Sequence, residues 1–393
     1  ISVADQAVGR SLLFSFLVTE GFDLASLKGY AELFSEYMLY PAPDEGQNDH
    51  IVKCTYSLLR SRADDITGKL ANFAADRLSE GKLLLDRQTI HFFLAAEHPL
   101  FVHLVSVYIS WLLTNGRVKD AGALLEEIES DAEDSDVLIP LCAMRLRTLV
   151  FQSNLADASK LYSELKKTTS RKSAIEGVKR LESARYLYGT GSFPDALQEA
   201  KEALMLFQEQ NSENEVYACT YVGLAMLGQS RLDESEAYFN IAEESTASSE
   251  TPSAVFNGMC SAATQYLVGN ITRAKRIAEK WLEISSQQGM RSYQIVLLFY
   301  MMRFHFDLGQ YEICIQMCLQ GLTFGKLYSS SSSIVFGRWL RRALAYSGNF
   351  SEALVGLDTT SGNLEDIYFA AECFFLQESY DKAVFCLEPV VGA

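Results

Sequence analysis

Residues 178–206, VKRLESARYLYGTGSFPDALQEAKEALML, decide the fold. Val178, Leu181, Ala184 and Tyr188 recur at helical spacing. Gly189 and Gly191 then break the helix. Phe193 packs back across the turn, and Pro194 stands at the start of a second helix, where its missing N–H costs nothing. Ala196, Ala200 and Ala203 return on one face of that second helix. Small residues there let two antiparallel helices approach closely, so the stretch predicts a helical hairpin.

The same pattern recurs along the chain. A small or turn-forming residue is followed two residues on by an aromatic or aliphatic one, and three further on by a small one. It reads Gly116-Val118-Ala121, Ser153-Leu155-Ala158, Gly191-Phe193-Ala196, Ser230-Leu232-Ser235, Gly269-Ile271-Ala274, Gly309-Tyr311-Cys314, Gly348-Phe350-Ala353 and Glu378-Tyr380-Ala383. The steps between first members are 37, 38, 39, 39, 40, 39 and 30 residues. Self-similarity at such a period marks a repeat array in which each unit buries its apolar face against the next.

The unit resembles the tetratricopeptide repeat. The family's small, turn, aromatic and alanine positions fall here on Ala184, Gly191, Phe193, Ala196, Ala200 and Ala203. The next unit supplies Gly223, Ser230, Leu232, Ser235, Phe239 and Ala242, and the one after it Ala262, Gly269, Ile271, Ala274, Ala278 and Trp281. The resemblance covers about residues 100–393 and implies an all-α fold, a right-handed α-α superhelix of antiparallel helix pairs. The spacing departs from the family's usual period of about 34 residues. We expect about eight repeats over 99–393, with turns near 116, 153, 191, 230, 269, 309, 348 and 378. The short last step predicts a second helix of the seventh unit cut off near Leu357, with 358–363 as loop. Residues 1–98 are expected to form degenerate helical hairpins that begin the stack, over about 4–18, 25–39, 50–60, 63–79 and 87–96, with a break at Pro41–Gly46. The start at Ile1 and the lack of a polar capping helix after Pro389 suggest a piece of a longer protein, or an end that a partner covers.

Composition narrows the function classes. A 48% hydrophobic, 11% aromatic chain of 393 residues buries a core, which excludes global disorder. The net charge of −16 argues against nucleic acid or an anionic membrane as partner. No apolar run approaches the roughly 18–20 residues needed to span a bilayer. Eight cysteines without a CxxC pair read as small hydrophobes in a reducing, cytoplasmic compartment.

Catalytic signatures are missing. GxSxG, GxxxxGK[ST], GxGxxG and HExxH do not occur, and His98 and His103 stand five apart rather than at metal-ligand helical spacing. We therefore expect no catalytic residue, no metal and no cofactor. The Ser329–Ser333 run reads as a turn and helix N-cap between units six and seven.

The resemblance implies a concave groove lined by the first helix of each unit, where partner segments bind. One register position, six residues before the turn residue, holds Arg147, Arg185, Arg303 and Arg342, with Arg338 four residues before the last. Tyr188, Tyr217, Phe256, Tyr266, Phe299 and Phe306 fall around them, with Tyr221, Tyr300 and Trp339 at a position less certain to face the groove. Arginine offers a planar, permanently charged fork that suits carboxylates, and aromatics add contact area at low entropic cost. This predicts a non-catalytic interaction scaffold whose partner is another protein, through an acidic peptide or helix. A ligand- or peptide-sensing regulatory module is the alternative. A third reading has these arginines paired with neighbouring acids such as Glu182 or Asp307, and the aromatics packed between repeats.

Overall fold

The computed structural model describes residues 71–80, 85–95, 97–131, 134–208, 213–246, 250–328, 330–357 and 364–391. The break expected at 41–46, the helices expected before residue 71 and the loop at 358–363 lie outside them. The described residues form helices and no strand. In order these are α1 (71–79), α2 (Arg87–Ala95), α3 (Phe101–Thr114), α4 (Val118–Asp131), α5 (Ser135–Phe151), α6 (Leu155–Leu165), α7 (Ser173–Gly189), α8 (Phe193–Gln208) and α9 (Glu213–Gly228). They continue as α10 (Leu232–Thr246), α11 (Pro252–Leu267), α12 (Ile271–Gln287), α13 (Arg291–Asp307), α14 (Tyr311–Tyr328), α15 (Ser330–Tyr346), α16 (Phe350–Ala353), α17 (Leu364–Leu376) and α18 (Tyr380–Val391).

The chain divides into two compact units. The first comprises Ile1–Ser110 and Ala123–Leu141, the second Trp111–Gly122 and Cys142–Ala393. In the first, Ile90, Phe93, Val105, Ile109, Leu125 and Ile128 are buried. His98 packs edge-on against Phe93 with centroids 5.0 Å apart, and its Nε2 lies 3.1 Å from Asn72 Oδ1. Arg87 and His91 both pair with Glu127.

The second unit is a tetratricopeptide-like solenoid of helix pairs, and its turns explain the spacing. The eight residues from Gly116 to Glu378 that open each pattern all have positive φ, between 58° at Ser153 and 89° at Gly348. A left-handed residue after a helix lets the next N–H reach back to a carbonyl five residues earlier, which satisfies a terminal carbonyl and reverses the chain. Ser192 N does so to Leu187 O at 2.8 Å, Asn270 N to Gln265 O at 2.8 Å, and Gln310 N to His305 O at 2.9 Å. Asn154 and Asn270 then cap α6 and α12, their side chains accepting from the N–H groups of Asp157 and Arg273.

Within each pair, small residues face large ones across the helix–helix contact. Ala196, Ala200 and Ala203 on α8, and Ala274 and Ala278 on α12, are fully buried. Three glycines of first helices meet rings of their second helices. Gly223 lies seven residues before its turn and Phe239 nine after; Gly258 lies eleven before and Trp281 twelve after; Gly177 lies fourteen before and Phe207 sixteen after. A Cβ at Gly223 would sit 2.7 Å from Phe239, one at Gly177 2.8 Å from Phe207, and one at Gly258 inside the Trp281 indole. Buried polar atoms join one pair to the next: Asn257 Nδ2 donates to Phe239 O at 3.0 Å, and Thr220 Oγ1 to Asn257 Oδ1 at 3.1 Å.

Two details differ from expectation or extend it. The second helix of the seventh unit is only Phe350–Ala353, shorter than predicted, because the chain turns at Gly356, φ 73°, and leaves Val355 exposed. Burial pushes the Cys219 thiol up to about 12, so it remains a neutral, apolar side chain.

Stacking fixes which face is inner. In the second unit α7, α9, α11, α13 and α15 each touch the first helix of the next pair, while the second helices pack mainly against their neighbours in sequence. The first helices therefore line the inner side. Ser292 Oγ on α13 donates to Leu113 O at 2.8 Å, a contact between residues 179 apart in the chain.

His305 on α13 gives the fold a pH dependence. It is buried, with Nδ1 2.6 Å from Gln310 Oε1. Burial, the dominant effect, holds its imidazolium below the ordinary histidine value; Lys275 pushes the same way, and Gln310 and Glu279 oppose it. The unfolded chain then takes up this proton at higher pH than the native chain. The stabilisation is complete above about pH 6.5 and is lost as pH falls below that value. The melting temperature is expected to drop between about pH 7 and about pH 5.5, and His305→Gln to remove part of that slope. Parallel wild-type and variant slopes in a calorimetric pH series would contradict the assignment.

Candidate functional site

The four register-equivalent arginines separate into two pairs. Arg147 on α5 and Arg185 on α7 are each 7% exposed, and Glu182, 3% exposed, lies between them. Arg185 Nη1 is 3.0 Å from Glu182 Oε2, and its Nε donates to the Tyr221 hydroxyl at 2.9 Å. Its guanidinium also lies 5.8 Å from the centre of the Tyr217 ring and 5.2 Å from that of Tyr221. Burial works against this charge, but Glu182, with Tyr221 and Tyr217, outweighs it and holds the group above its ordinary value.

Arg147 is held less well. Its Nε is 3.8 Å from Glu182 Oε1, too long for a hydrogen bond, and both Nε and Nη2 are shielded from solvent without a hydrogen-bond partner. Burial lowers its pKa below the ordinary value, and the positive charge of Arg185 adds to that, against the attraction of Glu182. Aromatic rings cover the pair. Phe256 packs on Tyr217 at 5.8 Å, Tyr221 at 5.5 Å and Tyr293 at 6.4 Å, and Tyr293 is hydrogen-bonded to Tyr217 across two units. Tyr188 packs edge-on against Tyr221.

The second pair is open. The Trp339 ring on α15 has two guanidinium groups over it, Arg303 at 4.7 Å and Arg342 at 5.5 Å from the ring centre. Arg303 also lies over Tyr266 and donates from Nη2 to its hydroxyl at 2.9 Å, while that hydroxyl donates to Asp307. Burial, then this donation to Asp307, raises the Tyr266 pKa. Arg303 Nε has no hydrogen-bond partner. Arg342, its side chain 49% exposed, is only 3.8 Å from Glu372. Phe306 packs edge-on against Trp339, Tyr311 and Tyr346 at 5.1 to 5.4 Å. Phe299 turns to Tyr300 and Phe336 instead. Arg338, mostly exposed, pairs with Glu365.

Of the residues predicted to line the groove, the structure brings Tyr266, Arg303, Phe306 and Arg342 together around Trp339. It places Arg147, Arg185, Tyr188, Tyr217 and Phe256 in the covered cluster, and Arg338 and Phe299 outside both. Tyr293 and Glu372 were not singled out from the sequence. Glu372 had a signal: it stands six residues before its turn residue Glu378, where four other units carry arginine. Tyr293 had none, because it meets Tyr217 across two units. Among the described residues no group of histidine, cysteine, aspartate or glutamate side chains has metal-binding geometry, and no helix is long and apolar enough to cross a membrane.

No protein-family model matches the sequence, and no curated protein matches it. Solved structures do. The apo form of RapI is similar at 16% identity over 71% of this chain and 81% of RapI, with a TM-score of 0.50. The apo form of the quorum sensor NprR from B. thuringiensis is 12% identical over 88% of this chain and 99% of NprR, with a TM-score of 0.49. A tetratricopeptide repeat protein from Parabacteroides merdae ATCC 43184 is 13% identical over 71% of this chain and 99% of its own, with a TM-score of 0.44. The likeness to RapI is one of fold.

Proposed function

We propose that the chain is a non-catalytic protein–protein interaction module that holds an acidic partner segment on the inner faces of α11, α13 and α15. The observation that carries this reading is that Arg303 and Arg342 both lie over the Trp339 ring, neither of them closely paired with a carboxylate. A carboxylate of the partner gains charge-assisted hydrogen bonds from one arginine fork, and the indole supplies rigid contact area beside it. Tyr266 and Phe306 extend that surface. The charge of −16 on the whole chain keeps acidic segments away from the rest of the surface, so binding is local to the arginines and weakens with salt.

Selection of a displayed random-peptide library on the intact chain tests this. Enriched peptides are expected to carry clustered Asp or Glu beside an apolar residue. The Arg303→Ala/Arg342→Ala double variant is expected to bind them at least about tenfold more weakly. Its melting temperature should stay within about 3 °C, since both side chains are at least partly exposed. Equal binding by wild type and double variant would overturn the reading.

A further inference from the structure

We propose that the buried Arg147–Glu182–Arg185 cluster is a receptor for one carboxylate group, separate from the surface at Trp339 and independent of whether that surface takes a partner segment. The side chains of Arg147, Arg185 and Glu182 are 9%, 8% and 4% exposed. Two guanidinium charges stand against one carboxylate, which leaves one positive charge in the interior. Arg185 is held by the Tyr221 hydroxyl and by its ion pair with Glu182, whose Oε2 lies 3.0 Å from Nη1 but makes no hydrogen bond itself. Arg147 is not so held: Nε and Nη2, its two atoms without a hydrogen-bond partner, are the two donors of a single guanidinium edge. That edge presents two parallel N–H groups at the spacing of the two oxygens of a carboxylate, the geometry of a bidentate pair.

The surroundings select the ligand's charge. Of the other cations on α7, Lys179 is held by Glu176 at 2.8 Å and by Thr168 O at 2.7 Å, and Arg180 by Glu176 and Glu199 at 3.1 Å each and by Glu202, so both are already paired. A monoanion brings the cluster to neutrality, whereas a phosphate dianion would leave a buried negative charge, which is costly. Tyr217, its ring centre 5.8 Å from the Arg185 guanidinium, and Tyr293, hydrogen-bonded to Tyr217, give that side of the cluster apolar rings with polar tips. An arginine cannot escape this environment by losing its proton, so a bound carboxylate is the chemistry that satisfies it. The carboxylate can belong to a small organic acid or to a peptide C-terminus.

Thermal melting of the intact chain in sodium propionate against sodium chloride at equal ionic strength tests the site. Trialanine and trialanine amide serve as further probes. Propionate is expected to raise the wild-type melting temperature by about 3 °C at roughly ten times its dissociation constant. Trialanine raises it and the amide does not if the site takes a chain terminus; propionate alone raises it if the ligand is a small acid. Arg147→Met removes the uncompensated charge and keeps an unbranched stem, so it is expected to melt no lower than wild type and to lose the response. Arg147→Lys keeps the charge but not the edge, and is expected to bind propionate about tenfold more weakly. Wild-type melting curves identical in propionate, trialanine and chloride, or a response that survives in Arg147→Met, would overturn the proposal.

Discussion

Glu182→Ala is expected to destabilise the protein by about 3–5 kcal/mol, the largest effect of any single substitution in the inner cluster. Among the described residues Glu182 is the carboxylate that pairs with both Arg147 and Arg185, and all three side chains are out of solvent. Removing it leaves two guanidinium groups facing each other in a medium where neither is hydrated. The loss comes from those stranded charges rather than from the pair's own attraction, because the desolvation already incurred is no longer offset. Replacing all three charges together, as Arg147→Met/Glu182→Leu/Arg185→Met, is therefore expected to recover most of the loss. Calorimetric melting at neutral pH checks both. A Glu182→Ala protein within about 1 kcal/mol of wild type would mean that solvent reaches the cluster.

Gly258→Ala is expected to cost about 3 kcal/mol, or about 6–12 °C in melting temperature, although it adds one methyl group and improves helix propensity. The added Cβ would lie within the indole of Trp281, which is 5% exposed and wedged between α11 and α12. The ring has nowhere to go, since Ala274, Ala278 and Met301 close the same cluster. The helices must separate, and the cost spreads along the contact. Trp281→Leu in the same chain is expected to return part of the loss, because the leucine leaves room for the methyl. Additive effects of the two substitutions would show that the close approach does not limit the helix separation.

The hairpins were legible in sequence because a turn residue at positive φ and small residues at helical spacing are local requirements. Gly191 with Ala196 and Ala200 states both within ten residues. The register also places the arginines on first helices, which the stacking of α7 through α17 puts on the inner side. It does not say how much room that side has. Arg185 and Arg303 share a register position, yet one is covered by Tyr217 and Tyr221 and the other stands over Trp339 and Tyr266. The difference rests on contacts two or more units apart, such as Tyr217 with Tyr293 and Leu113 with Ser292, that no repeat period encodes. Glu372 shows the converse: an acid at the arginine position of the last unit lies 3.8 Å from Arg342 of the unit before it, a substitution visible in the aligned repeats.

Backbone hydrogen exchange on the intact chain, with and without an acidic peptide taken from the library selection, tests the inner-face reading most directly. Added protection is expected in α11, α13 and α15 around Tyr266, Arg303 and Trp339, with the outer helices α12 and α14 unchanged. Protection confined to α12 and α14, or none at a saturating peptide concentration, would contradict it.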